Sequence, residues 1–220
     1  MEAVGDGRSI RGRIGLLVVI LLGTALSYLL NETADIGQLV LQPEPVERAR
    51  ARDGSPRLVG RSSTVTVVLF TDYRCPACRS SDKEIVDAVI EDGHVDLLVR
   101  PLTLFGHESQ RAARVALAAD KQGRFLAMHR TLMSASQIDD AGVVLAALEA
   151  GVNLERLKAD LAQNSVSIDS TIARNRLAAF GLGLNGTPSY LIGRYRVMGA
   201  LSQRQIRRLL RQARADGAAI

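Results

Sequence analysis

Cys75 and Cys78 are the two cysteines of a 220-residue chain that has three histidines and no tryptophan. Two thiols build neither a disulfide scaffold nor a four-cysteine zinc site. A bond between residues so close in sequence closes a very small loop, and short-loop disulfides contribute least to holding a fold together. The pair is therefore better suited to reaction than to structure. A C-x-x-C pair also serves as half of a metal site. Completing one here would fall to His94, His107 and His129, none of which has ligand-like spacing to its neighbours. Each reads as a solvated helix or loop histidine, and no metal is expected.

The elements that must position such a pair are legible on both sides of it. Val65-Thr66-Val67-Val68-Leu69-Phe70 is an apolar, β-branched run too continuous for a one-sided sheet, and it predicts a buried strand. A helical pattern through Ile85, Val86, Val89 and Ile90 follows and ends at Gly93. Cys75 then stands at a helix N-terminus, where free N–H groups and the positive end of the dipole stabilise a thiolate and lower its pKa below the usual value of about 8.5. Cys75 is the expected nucleophile. Cys78, one turn further in and more shielded, is the expected resolving thiol. Pro76 suits the first helical position, where its missing N–H costs nothing. Neither Pro76 nor Ala77 offers a side chain that could stabilise the thiolate, so the backbone must do so.

Further along, the pattern predicts a second strand at Val95–Arg100 and a helical stretch from Glu108 to Gly181, interrupted at Gly123, Ser136–Asp139 and residues 151–153. A tight hairpin over Gly193-Arg194 joins Ser189–Ile192 to Tyr195–Met198, and Ser202 with Gln205 forms a capping box for a last helix. The order β, α, β, helical block, β, β, α describes one α/β domain over residues 64–220, large enough for a single well-filled core.

Residues 31–63 carry Pro43, Pro45, Gly54, Pro56 and mixed charges without a sustained apolar period, and read as a linker. Before them, residues 14–30 run for 17 positions without a charge, about 25 Å as a helix against a hydrocarbon core of about 30 Å. An uncleaved transmembrane anchor is the preferred reading. A cleavable signal segment ending near Ala25 and Ser27 is the alternative, and a buried core helix fits the asymmetric flanking charge poorly. Arg8, Arg11 and Arg13 precede the segment while Glu32 and Asp35 follow it. Residues 1–13 are thus expected in the cytoplasm, giving a single-pass protein of the inner membrane with its catalytic domain in the periplasm or outside the cell. If the segment is cleaved, the product is soluble and periplasmic. Either way the cysteines reach a compartment where disulfides persist.

Composition narrows the field. With 47% hydrophobic and 23% charged residues the chain is ordinarily globular, which argues against disorder and against a multi-span membrane protein. The net charge of +5 comes from scattered arginines with no basic run interleaved with aromatics, so no nucleic-acid partner is expected.

The segment Phe70-Thr71-Asp72-Tyr73-Arg74-Cys75-Pro76-Ala77-Cys78, with Gly186-Thr187-Pro188-Ser189-Tyr190 beyond a helical insert at about 106–183, resembles the DsbA-like thiol:disulfide oxidoreductases of the thioredoxin-fold superfamily. The likeness covers about residues 58–215. It implies a thioredoxin fold with a helical insertion, and a redox-active Cys75–Cys78 disulfide in place of any bound cofactor. It also implies a cis Thr187–Pro188 bond facing the cysteines, with the Thr187 backbone as an edge for an extended substrate peptide. Unfolded or partly folded proteins would be the substrates, and a membrane protein the redox partner.

Asp72 and Tyr73 match the same motif. Asp72 reads equally as a loop carboxylate and as a proton-transfer group, and its charge would raise, not lower, the pKa of a nearby thiol. Two positions depart from the pattern. Strongly oxidising members have histidine at the position of Ala77, and many have valine at that of Thr187, so this chain is expected to be the weaker oxidant. The direction of electron flow, as oxidase, isomerase or reductase, stays open. Two other functions compete: copper(I) binding by the two thiolates, and a structural or interaction domain with a vestigial disulfide.

Overall fold

A computed structural model describes residues 13–24 and 36–217. The chain divides into two units, Met1–Ile36 and Gly37–Ile220. In the first, residues 13–24 form helix α1, whose apolar side chains, from Ile14 to Leu22, are exposed. No described helix is long and apolar enough to cross a membrane. Residues 25–30 of the apolar segment lie outside the described residues.

The second unit runs β1 (Gln38–Leu39), α2 (Pro43–Arg50), β2 (Arg57–Leu58), β3 (Val65–Thr71), α3 (Pro76–Asp92) and β4 (Val95–Pro101). Five helices follow: α4 (His107–Asp120), α5 (Phe125–Ser134), α6 (Asp140–Glu149), α7 (Leu154–Gln163) and α8 (Ser165–Gly181). The chain closes with β5 (Ser189–Ile192), β6 (Tyr195–Met198) and α9 (Gln203–Ala215). The strands form one sheet in the order β1-β6-β5-β3-β4-β2.

The apolar run at 65–70 sits where its continuity demands, with β3 between two partners. It pairs parallel with β4 and antiparallel with β5, and every β3 residue except Thr66 is buried. Parallel neighbours need a crossover, which α3 supplies. That helix starts with Pro76 in its first turn and ends at Gly93, whose φ of 70° suits a residue without a Cβ. Its buried face is Cys78, Ser81, Asp82, Ile85, Val86, Ala88 and Val89, the spacing of a single helical stripe. Helix α4 buries Ala112, Ala113, Ala116 and Ala119, so its neighbours can approach closely.

The linker expected over 31–63 is a correction where it is described. β1 pairs with β6 and β2 with β4, both antiparallel. Helix α2 places Val46 and Ala49 in a core cluster with Val68, Phe70, Leu98, Ala178 and Leu182. Arg100 of β4, wholly buried, ties this segment down: it donates to the carbonyls of Ala49 (2.7 Å) and Ala51 (2.9 Å) and to Asn175 Oδ1 (2.7 Å), and pairs with Asp53 at 3.2 Å. Pro43 and Pro45 fall in the first turn of α2, where they initiate a helix instead of breaking one. The two-residue strands have no period to detect. The folded unit accordingly begins near Gly37, not at residue 64.

Candidate active site

Cys75 is the N-cap of α3, with φ −73° and ψ 118°. Its Sγ accepts from the Cys78 N–H at 3.4 Å and donates to the Thr187 carbonyl at 3.2 Å. Its own N–H donates to the Asp72 carbonyl at 3.0 Å, which closes the turn between β3 and α3. The Thr187–Pro188 peptide is cis. Cys75, Cys78, Thr187 and Pro188 therefore meet in one place, while Pro76 and Ala77 are exposed and form the rim.

The two cysteines are free thiols, 3% and 1% exposed, in different surroundings. Burial pushes the Cys78 thiol up to about 12. The hydroxyls of Thr187 and Thr71 and the Asp72 backbone offset part of that rise, and the Cys75 thiol adds to it. Cys78 is thus held protonated at neutral pH, with its backbone N–H aimed at Cys75.

Asp72 is fully buried and committed to structure. Its Oδ1 accepts from the Arg74 N–H (2.9 Å) and the Ser109 hydroxyl, and its Oδ2 from the Leu104 N–H (2.7 Å). Of its two readings the loop carboxylate fits, because three donors occupy it and fasten the reactive turn to α4 and the loop before it. Outside it, Arg74 pairs with Glu108.

His129 corrects the sequence reading. It is not solvated but completely buried on α5. Its Nδ1 lies 3.1 Å from the Tyr73 hydroxyl and its Nε2 2.8 Å from Asp82 Oδ1. Phe125 stacks on the ring at 5.5 Å and Tyr73 meets it edge-on at the same separation. Burial, then Asp82 and Asp72, hold the Tyr73 phenol well above its usual range, so Tyr73 donates to Nδ1. The Nε2 hydrogen is then left for the Asp82 carboxylate, an assignment made from the hydrogen-bond pattern. The signal was present in the sequence: Phe125, Met128 and Leu132 mark the buried stripe of α5, and position 129 falls within it.

Tyr190, also unremarked in sequence for chemistry, follows Pro188 into β5. Burial pushes its phenol up to about 12, with the charges of Cys78 and Asp82 adding and Ser81 and the Leu201 backbone opposing. Its hydroxyl is buried without a well-formed hydrogen bond. Among the described residues no group of three or more His, Cys, Asp or Glu is placed to hold a metal ion.

Comparison with known proteins agrees with this geometry. The family model described as Thioredoxin matches residues 53–212. A thioredoxin-like oxidoreductase from Silicibacter pomeroyi is 35% identical, with a TM-score of 0.72 over 77% of this chain and 97% of that one. A periplasmic thioredoxin-like protein from Salmonella enterica serovar Typhimurium is 26% identical, with a TM-score of 0.67 over 80% and 99%. The thiol-disulfide exchange protein alpha-DsbA2 from Wolbachia pipientis shares the fold at 23% identity, with a TM-score of 0.73 over 77% and 92%. Among curated relatives, a Na(+)/H(+) antiporter NhaA 3 from Salinispora tropica is 29% identical over 60% of this chain, and the match spans only 20% of that protein. Family match, fold and the meeting of Cys75 with the Thr187–Pro188 loop lead to one assignment: the chain belongs to the thioredoxin family.

Proposed function

We propose that the protein exchanges disulfides with unfolded or partly folded polypeptides through Cys75, outside the cytoplasm, tethered by the apolar segment at residues 14–30. The observation that carries this reading is Cys75 itself: a thiol at the N-cap of α3, with a backbone N–H directed at its sulfur and the Thr187 carbonyl 3.2 Å away. In the reducing direction, the Cys75 thiolate attacks a substrate disulfide, forming one S–S bond and releasing one substrate thiolate. Cys78 then loses its proton and attacks Cys75 Sγ, forming Cys75–Cys78 and expelling the second substrate thiolate. Substrate gains two electrons and the protein loses two. Oxidation is the same sequence reversed, with a membrane redox partner restoring the starting state.

Substrate class follows from the surroundings. The Thr187 backbone offers an edge to an extended chain. An apolar recess lined by Leu104, Leu177, Phe180, Leu184 and Asn185 adjoins both the Leu104 N–H that Asp72 holds and the loop leading to Thr187, and accepts side chains that a folded protein would bury. The exposed Ala77 offers no donor or charge to a Cys75 thiolate, which supports a modest oxidant.

Trapping thiols in cells with an alkylating reagent tests the assignment and its direction together. Mainly oxidised Cys75 and Cys78 mean an oxidase, and mainly reduced ones an isomerase or reductase. If the Cys75→Ser protein still turned over substrate disulfides, the assignment would be wrong.

A further inference from the structure

Helix α9 reads Gln-Arg-Gln-Ile-Arg-Arg-Leu-Leu-Arg-Gln-Ala-Arg-Ala, with five arginines and no acid. Its buried stripe is Ile206, Leu209, Leu210 and Ala213, and the arginines divide into two sets around it. On the flank toward α3 they are paired, Arg207 with Glu91 and Arg214 with Asp92. Glu84, also of α3, accepts from the Gln203 N–H at the start of α9. On the outer side Arg204, Arg208 and Arg211 follow one another at helical spacing and form a ridge opposite the buried stripe. Arg208 and Arg211 have no ion-pair or hydrogen-bond partner among the described residues. Like charges at this spacing weaken a helix, so an anionic surface laid against the ridge would stabilise it.

The chain enters the folded unit at Gly37, directly against α9: a Cβ there would stand 3.2 Å from Leu209 Cδ2. β1 follows and pairs with β6, whose Tyr195 hydroxyl bonds Asp216 just beyond the end of α9. That acid is thus engaged away from the ridge. Only residues 31–36 separate Gly37 from the apolar segment, and fully extended they reach about 25 Å. A helix with its side chains is about 10–12 Å across. A membrane holding residues 14–30 therefore lies within reach of the outer side of α9.

We propose that the Arg204, Arg208 and Arg211 ridge docks on the anionic phospholipid headgroups of the membrane that holds residues 14–30. The inference rests on the tether proposed above. The ridge offers no large apolar side chain for insertion, so the contact is electrostatic, with guanidinium forks on phosphate oxygens. Each arginine at such a surface favours the docked state by about fivefold. A short tether makes that modest attraction sufficient, because it keeps ridge and headgroups at high local concentration. The Cys75 end of α3 lies about 24 Å along the helix from Glu91, the residue that pairs with α9. Docking therefore leaves the reactive turn open to polypeptides while fixing the face on which the domain rests.

The test uses the full-length protein in lipid nanodiscs that carry a trace of gadolinium-chelating lipid, with paramagnetic broadening of backbone amide signals as the readout. Nanodiscs of phosphatidylcholine alone are compared with nanodiscs containing about one-third phosphatidylglycerol. Broadening at Arg204, Arg208 and Arg211 should rise at least about threefold with the anionic lipid, while that of α7 should not, and about 0.5 M salt should reverse the rise. Replacing all three arginines by glutamine should abolish the rise and replacing all three by lysine should keep it, since charge and not helix packing is at issue. Both variants should exchange a soluble peptide disulfide at the wild-type rate, which confirms that they fold. Equal broadening of α9 and α7 at both lipid compositions would overturn lipid docking and leave the ridge to an acidic protein surface, as would a rise that survives the glutamine replacements. The two levels of the argument separate at the first step: a chain that does not co-purify with nanodiscs removes the tether and the docking together, whereas one that co-purifies with an indifferent ridge removes the docking alone.

Discussion

The helical block from His107 to Gly181 and the sheet half around it differ in how their buried polar groups are satisfied. In the sheet half, several bond to near neighbours on their own side: Ser81 to the Ala77 carbonyl, Asp96 to the Gly60 N–H, Ser189 to the Gly186 carbonyl. The block buries four polar side chains, Ser109, His129, Thr171 and Asn175, and every one reaches out of the block. Ser109 meets Asp72, His129 meets Tyr73 and Asp82, Thr171 meets the Asp53 carbonyl, and Asn175 meets Arg100 and the Pro101 carbonyl. Inside, the block is packed by alanines and other apolar side chains. Its specificity lies at the seam, and the seam runs directly beneath the reactive turn.

That contrast can be broken or sharpened by substitution. The largest effect belongs to the sheet half's own chemistry: Cys75→Ser should lower exchange by at least about a thousandfold with an unchanged circular-dichroism spectrum. Next comes the pH response of the buried thiol. In a Cys75→Ser background, alkylation of Cys78 should climb about tenfold per pH unit from neutrality, because a thiol pushed up to about 12 stays protonated until then and only the thiolate reacts. The sign matters here, since a lowered pKa would give a rate already level by pH 7.

Stability measurements by denaturant titration reach the seam. Arg100→Ala withdraws a shared donor from Asp53, Asn175 and the carbonyls of Ala49 and Ala51 beside the block, and should cost about 3–5 kcal/mol. Ser109→Ala withdraws one of three donors from the Asp72 carboxylate and should cost about 1.5–3 kcal/mol. The block's interior should be the most forgiving, with Ala116→Gly costing only about 1 kcal/mol through helix propensity. If Ala116→Gly cost more than Ser109→Ala, the claim that specificity lies at the seam would be wrong.

Much of this architecture was legible in the residues. Val65 to Phe70 announced a central strand, Pro76 and Gly93 bounded α3, and Ser202 with Gln205 forms the capping box that opens α9. What stayed hidden shares one cause: its stabilisation comes from contacts distant in sequence. β1 and β2 are two residues each and exist through β6 and β4, while α2 contributes only Val46 and Ala49 and relies on Arg100 some 50 positions later. His129 looked polar and isolated because its partners, Tyr73 and Asp82, lie 56 and 47 residues away. Asp72 could be placed beside the cysteines from sequence, but its three donors come from three different segments.

The segment from Gly37 to Leu58 has one more consequence. If the protein receives unfolded chains, as proposed above, it is continually offered strands in search of a partner, and an open sheet edge would accept them indiscriminately. Here β1 covers the free side of β6 and β2 covers the free side of β4, so each margin of the sheet ends in two residues of strand. Such short margins template extended chains poorly. The same stretch that fastens the N-terminal side of the domain thus closes both margins of its sheet, which under the proposed exchange function would keep it from pairing with its own substrates.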